Sequence, residues 1–146
     1  MFEKSAGAVI FRRTENGEIY YLLVKSTSGH FDFPKGNVER GESEEQTTKR
    51  EVEEETGLKD IVFIQRFKEK IKYFYRRERN PINKVVVYFL AETMSTEVKI
   101  SWEHVGFEWM SYKDAMEKID FANTKTVLKK ANEFLTGAKG LGKFLK

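Results

Sequence analysis

Eight glutamates fall within GNVERGESEEQTTKREVEEETGL, residues 36–58 of a chain whose net charge is +3. Read as a helix at 100° per residue, Glu45, Lys49 and Glu53 form one column four residues apart, a self-neutralising solvent face. Glu51, Glu54 and Glu55 lie three and four apart on another face. Threonines occupy 47 and 48, and no lysine or arginine is expected one turn before these acids. Like charges at that spacing cost an exposed helix roughly 0.2–0.5 kcal/mol per pair, so a purely structural helix would gain from a lysine there. Three convergent carboxylates instead suit a hard divalent cation, Mg²⁺ or Mn²⁺, which takes oxygen ligands. Just upstream, Phe33-Pro34-Lys35-Gly36 is a constrained loop carrying a lysine suited to a phosphate.

Local signals place these groups on definite elements. Ser43 followed by Gln46 is a capping box and Gly57 is a helix stop, so the spacing predicts a helix over 44–56. SAGAVIFRR (5–13) and EIYYLLVKS (18–26) read as strands joined at an Asn16-Gly17 turn. STSGHFDFPKG reads as loop. IVFIQRFKEKIKYFY (61–75) and KVVVYFLAET (84–93) read as two longer strands, connected by the charged, turn-rich RRERNPIN. HVGFEWMS (104–111) is a shorter strand. SYKDAMEKI and NTKTVLKKANEFL are helical, the second with Val127, Leu128, Ala131 and Leu135 on one side. The expected whole is a single α/β domain over 1–146, a mixed sheet with helices packed against it, ending in a flexible basic tail over 136–146.

Composition narrows the chemistry. A chain of 146 residues, 40% hydrophobic and 14% aromatic, is long enough for one real core. No cysteine is present, which excludes disulfides, thiolate metal sites and a cysteine nucleophile. His30 and His104 alone make a poor zinc set. The absence of a long apolar run or an export leader leads us to expect a soluble, cytoplasmic protein without membrane contact.

In full, the acidic stretch satisfies a gapped pattern: Gly36, five residues, Glu42, seven residues, Arg50-Glu51-Val52, one residue, Glu54-Glu55, one residue, Gly57-Leu58. This pattern resembles the Nudix box, and the chain is similar to the Nudix hydrolases over nearly its whole length. The resemblance implies an α/β/α sandwich with a central mixed sheet, and divalent-cation-dependent hydrolysis of a nucleoside diphosphate linked to another group. It implies Glu51, Glu54 and Glu55 as metal ligands, with the Gly36 carbonyl beside them. Arg50 and Glu42 would brace the loop against the helix. Which glutamate receives the proton of the attacking water is open.

Residues outside the box bear on the substrate. The opening SAGAVIFRR, the loop GHFDFPKGNVERGE, the strand KVVVYFLAE and EHVGFEW resemble one branch of the family, the asymmetrical diadenosine tetraphosphate (Ap4A) hydrolases, which release ATP and AMP. That resemblance implies Lys35 and Lys84 on the polyphosphate, His30 at the phosphate edge of its loop, and Glu103 with the metals or the attacking water. Tyr73, Tyr75 and Phe121 are candidates for stacking on adenine, a contact worth about 1–3 kcal/mol. Tyr73 and Tyr75 share one strand face and could equally serve the sheet, and Phe121 could equally be core. The alternatives are a Nudix hydrolase acting on oxidised or ordinary nucleoside triphosphates or on RNA 5′-triphosphate ends, and a non-catalytic nucleotide-sensing module. The arginines at 76, 77 and 79 keep the RNA reading open.

Overall fold

The computed structural model describes residues 1–137. Alternation of small and apolar residues makes Phe2–Arg13 the strand β1, buried on both faces along most of its length. A turn closed by Gly17 N–H donating to Thr14 O leads into β2, Ile19–Ser26. Two short strands follow, β3 (Phe31–Asp32) and β4 (Lys35–Asn37), in what reads from sequence as loop. The helix α1 spans Glu44–Thr56 with both halves of the Ser43/Gln46 capping box formed and Gly57 left-handed at its end.

The expected strand over 61–75 is two strands, β5 (Val62–Phe63) and β6 (Glu69–Arg77). Between them Arg66 adopts φ 73°, a left-handed kink that a run of apolar and basic residues does not announce. The expected loop RRERNPIN is instead the tip of a long hairpin. β6 passes directly into β7 (Asn80–Glu92) through Glu78 and Arg79, both at positive φ, as a tight two-residue hairpin turn requires. β8 (His104–Met110), α2 (Tyr112–Lys118) and α3 (Ala122–Thr136) complete the described chain. From residue 138 onward the expected tail lies outside the described residues.

Among the described residues the sheet runs β3-β2-β1-β7-β5, with β6 also on β7, β8 on β2 and β4 on β1. β1 and β7 are parallel over ten residue pairs, from Phe2–Asn83 to Phe11–Glu92, and the other pairings are antiparallel. Alternation splits the core into two layers. Ala8, Ile10, Leu22, Val87 and Ala91 pack toward Val52 of α1, while Val9, Phe11, Tyr21, Leu23 and Tyr88 pack toward Ala115, Val127, Leu128 and Ala131 of α2 and α3. The mixed sheet with helices on both faces is the expected sandwich.

One feature of this sheet positions the site. β1 changes partner midway: its first half pairs with β4 through Ser5, Ala6 and Gly7, and its second half with β2 from Ile10 to Arg13. Ala8 N–H donates to Pro34 O at the fork. Gly7 lies so close beneath this crossing that a Cβ there would overlap Pro34 O and Lys35. The fork thereby carries Lys35 and Gly36 across the sheet edge toward α1.

Candidate active site

Three cavities meet around Lys35. The first, about 420 Å³, is lined by Gly36, Arg50, Glu51, Glu54, Lys84 and Glu103 among others. The second, about 230 Å³, holds His30, Asp32, Lys35, Glu55, Glu103 and His104. The third, about 610 Å³, is walled by Tyr73, Tyr75, Phe121, Lys84 and Lys35. Lys35 lines all three, Glu103 joins the first two, and Lys84 joins the first to the third. Apart from Glu42, every site residue picked out from sequence thus lines one of these joined cavities.

The acidic arm is organised by Arg50. Its Nε donates to Glu42 Oε2 at 2.6 Å, Nη2 to Glu42 Oε1 and to the Asn37 carbonyl at 3.0 Å each, and Nη1 to Glu51 Oε2 at 2.7 Å. Nη1 also reaches Glu54 at 3.4 Å, an i,i+4 pair. The expectation that no basic residue precedes these acids by one turn is therefore corrected: Arg50 stands one turn before Glu54. Lys49, assigned to a neutral column with Glu45 and Glu53, instead holds its ammonium over the Phe63 ring. Glu42 also accepts from Thr47 Oγ1 and from the Glu39 amide, and with the Arg50 bonds first these hold its carboxyl down, at about 2. Glu42 and Arg50 tie the loop to the helix.

Glu55 is buried at the floor of the cleft. Burial, then hydrogen bonding and charge repulsion from Glu51, and more weakly Glu103, push its carboxyl well above the usual range. His104 Nε2 lies 3.4 Å from Glu55, and burial lowers its imidazole from the ordinary value. Among the described residues no three acidic or histidine side chains stand gathered as a finished ligand set. The donor set nevertheless fits a divalent cation. Gly36 leans on Glu51 so closely that any Cβ would fall onto its carboxyl group, leaving the Gly36 backbone beside the carboxylates. The crowding that raises Glu55 is the crowding a divalent cation relieves.

The aromatic arm uses the hairpin. Tyr73 and Tyr75 point to one side of β6. Tyr73 packs partly into the core, whereas Tyr75 Oη donates to Glu3 Oε1 at 2.6 Å and receives Arg77 Nη2 at 2.7 Å. Phe121 is 45% exposed at the start of α3, so it is not core. Its ring centroid is 4.9 Å from that of His30, whose Nδ1 is 2.7 Å from Asp120 Oδ2. Asp32 Oδ2 accepts from Lys35 Nζ at 3.1 Å and aims it into the cleft. Burial and the nearby Lys35 charge lower the Lys84 ammonium from its ordinary value.

Sequence reading missed Asp32, Asp120 and His104 as partners of Lys35, His30 and Glu55. The Asp32–Lys35 spacing is the single local signal among them. His30 and Asp120 are ninety positions apart, so only folding makes them neighbours.

The profile of the NUDIX domain family matches residues 1–131. Bis(5′-nucleosyl)-tetraphosphatase (asymmetrical) from Mus musculus is 32% identical over 143 residues, covering 90% of this chain and 95% of that protein. The Sus scrofa protein of the same name is 34% identical, with the same coverage. Among solved structures, a Caenorhabditis elegans Ap4A hydrolase in a binary complex superposes with a TM-score of 0.80 at 33% identity, covering 92% of this chain and 98% of that one.

Proposed function

The chain belongs to the Nudix family, and from that premise we propose that it hydrolyses Ap4A asymmetrically, to ATP and AMP, with Mg²⁺ or Mn²⁺ as cofactor. As a Nudix hydrolase it acts on nucleoside polyphosphates, and the narrower reading names which one. The observation that carries it is the shared wall of the cleft: Lys35 and Lys84 connect an aromatic cavity of nucleoside size directly to the acidic arm. A base held by Tyr73, Tyr75 and Phe121 would therefore thread its phosphates past two ammonium groups toward Glu51, Glu54, Glu55 and Glu103. Relatives named for that activity, matching over nine-tenths or more of both chains, support the same reading.

Glu51, Glu54, Glu55 and Glu103, with the Gly36 carbonyl, would hold the divalent cations. When bound, such a cation supplies a Lewis acid to a phosphoryl oxygen and makes water more acidic. The remaining work falls to protein groups. Lys35, steered by Asp32, and Lys84 neutralise the polyphosphate and fix its course. His30, held by Asp120, would face the phosphate edge while backing Phe121. Water attacks a phosphorus, one glutamate of the acidic arm takes its proton, and the P–O bond to the departing nucleotide breaks. Arg50 would keep Glu51 and Glu54 in register with the loop.

Competition among substrates tests this. In a panel of Ap4A, Ap3A, ADP-ribose, 8-oxo-dGTP and 5′-triphosphate RNA, kcat/KM should be highest for Ap4A. A preference for triphosphate RNA with pyrophosphate release would overturn the substrate and leave the family reaction standing. No described helix is long and apolar enough to cross a membrane.

A further inference from the structure

β6 has a second face. Side chains opposite Tyr73 and Tyr75 are Lys70, Lys72, Phe74 and Arg76, all exposed. Strand register extends this face into rows. Phe74 pairs with Asn83 and Asn83 with Phe2, so two exposed phenylalanines flank an asparagine about 10 Å apart, at two strand spacings. Both rings are exposed, Phe74 at 63% and Phe2 at 64%. The next row is Lys72, Val85 and Lys4. Arg76 continues the face toward the hairpin tip beside Pro81.

Apart from Glu78 in the hairpin turn, the nearby charge is one-sided. Glu44 is already bound by both Lys4 and Lys68. Glu3 and Glu69 belong to the other face and are engaged by Arg77 and Lys130. Lys70 and Lys72 have no ion-pair partner among the described residues. Surface aromatics standing singly need no explanation, but two of them in one row of a pleated face, edged by unpaired cations, form a surface of definite chemistry. It offers π-faces for stacking and ammonium groups for phosphates, with an amide between them. A second copy of the chain would bring like charge onto like charge, and an acidic peptide would leave the rings unused.

We propose that this open face, Phe2, Lys70, Lys72, Phe74 and Arg76, binds single-stranded nucleic acid, its bases stacked on Phe2 and Phe74 and its phosphates on Lys70, Lys72 and Arg76. None of these side chains lines the three joined cavities, so the face is separate from the cleft and does not depend on the substrate assigned there.

The test is fluorescence anisotropy with labelled RNA and DNA of a dozen mixed nucleotides bearing a 5′ hydroxyl, beside a labelled polyglutamate of equal length. Binding of either nucleic acid should weaken linearly in log Kd against log salt. Lys72→Ala should reduce that slope by about 0.7, one phosphate contact on a single strand. Phe74→Ala should weaken binding about tenfold with the slope unchanged, a stacking loss. Both variants should keep wild-type Ap4A turnover and melting temperature, because both side chains are exposed and outside the cleft. Unchanged affinity in Phe74→Ala, equally tight polyglutamate binding, or a dimer in sedimentation that Phe74→Ala dissolves would each overturn the proposal.

Discussion

At Arg50 one guanidinium meets the Glu42 carboxylate, the Asn37 carbonyl, Glu51 and Glu54. Glu54 is the most loosely held of these, at 3.4 Å and with a side chain 56% exposed, so it is the carboxylate least committed to the guanidinium. Glu54→Gln should lower kcat by about a hundredfold or more, the usual scale for a lost acid–base or ligand group. Its melting temperature should stay within a degree or two of wild type, since exposed substitutions change stability by about 0.5 kcal/mol or less. Retained turnover in that variant would remove Glu54 from the catalytic set. Phe121 permits a similar separation because it too is partly exposed. Phe121→Ala should raise KM for Ap4A about tenfold and leave kcat near wild type, read from initial rates, if its ring binds ground and transition states alike. The candidate ligands Glu51, Glu54 and Glu55 are legible in the sequence because their spacing is fixed within one helix. Asp120 beside His30 and His104 beside Glu55 are not, since distant strands and loops bring them in.

The elements divide in the same way. α1 reads correctly to both ends because Ser43, Gln46 and Gly57 are local signals whose hydrogen bonds form as expected. β5 and β6 read as one strand because the break depends on Arg66 at positive φ, and arginine carries no preference for it. The Glu78-Arg79 turn is hidden for the same reason, while Pro81 falsely marks a loop where it begins a strand. β3 and β4 are concealed by Pro34 and Gly36, which read as loop although they carry the chain from β2 to its crossing with β1. That crossing predicts the outcome of Gly36→Ala: the methyl group displaces Glu51, so Mn²⁺ affinity by calorimetry should fall about tenfold or more while far-ultraviolet circular dichroism is preserved. A different tie, at the end of β7, gives a pH signature. Asp60 accepts from Thr93 Oγ1 at 2.6 Å and from the Met94 amide at 3.0 Å, and the Thr93 bond foremost holds its carboxyl below the ordinary value. Because the folded state favours the ionised form, the contribution is full above about pH 4 and vanishes as pH falls through the folded value. Asp60→Ala should cost about 1 kcal/mol in urea unfolding at pH 7, discounted for its exposure, and clearly less at pH 2.5.

Across the whole molecule the net charge of +3 conceals a sorted distribution: carboxylates on α1 face the cleft, lysines bridge it, and cations line the far side of the hairpin. The crowding of glutamate in residues 36–58 belongs to this arrangement, with Arg50, and Lys4 and Lys68 at Glu44, as counter-charges the fold itself provides. In the proposed function, acidic arm, lysine bridge and aromatic cavity work as one metal-dependent channel for a dinucleoside polyphosphate. The most direct test is a time course of Ap4A hydrolysis, with products separated by ion-exchange chromatography, in Mg²⁺ and then in excess EDTA. ATP and AMP should accumulate one to one in Mg²⁺, stop in EDTA and resume when the cation is restored. Two molecules of ADP, or equal turnover in EDTA, would contradict it.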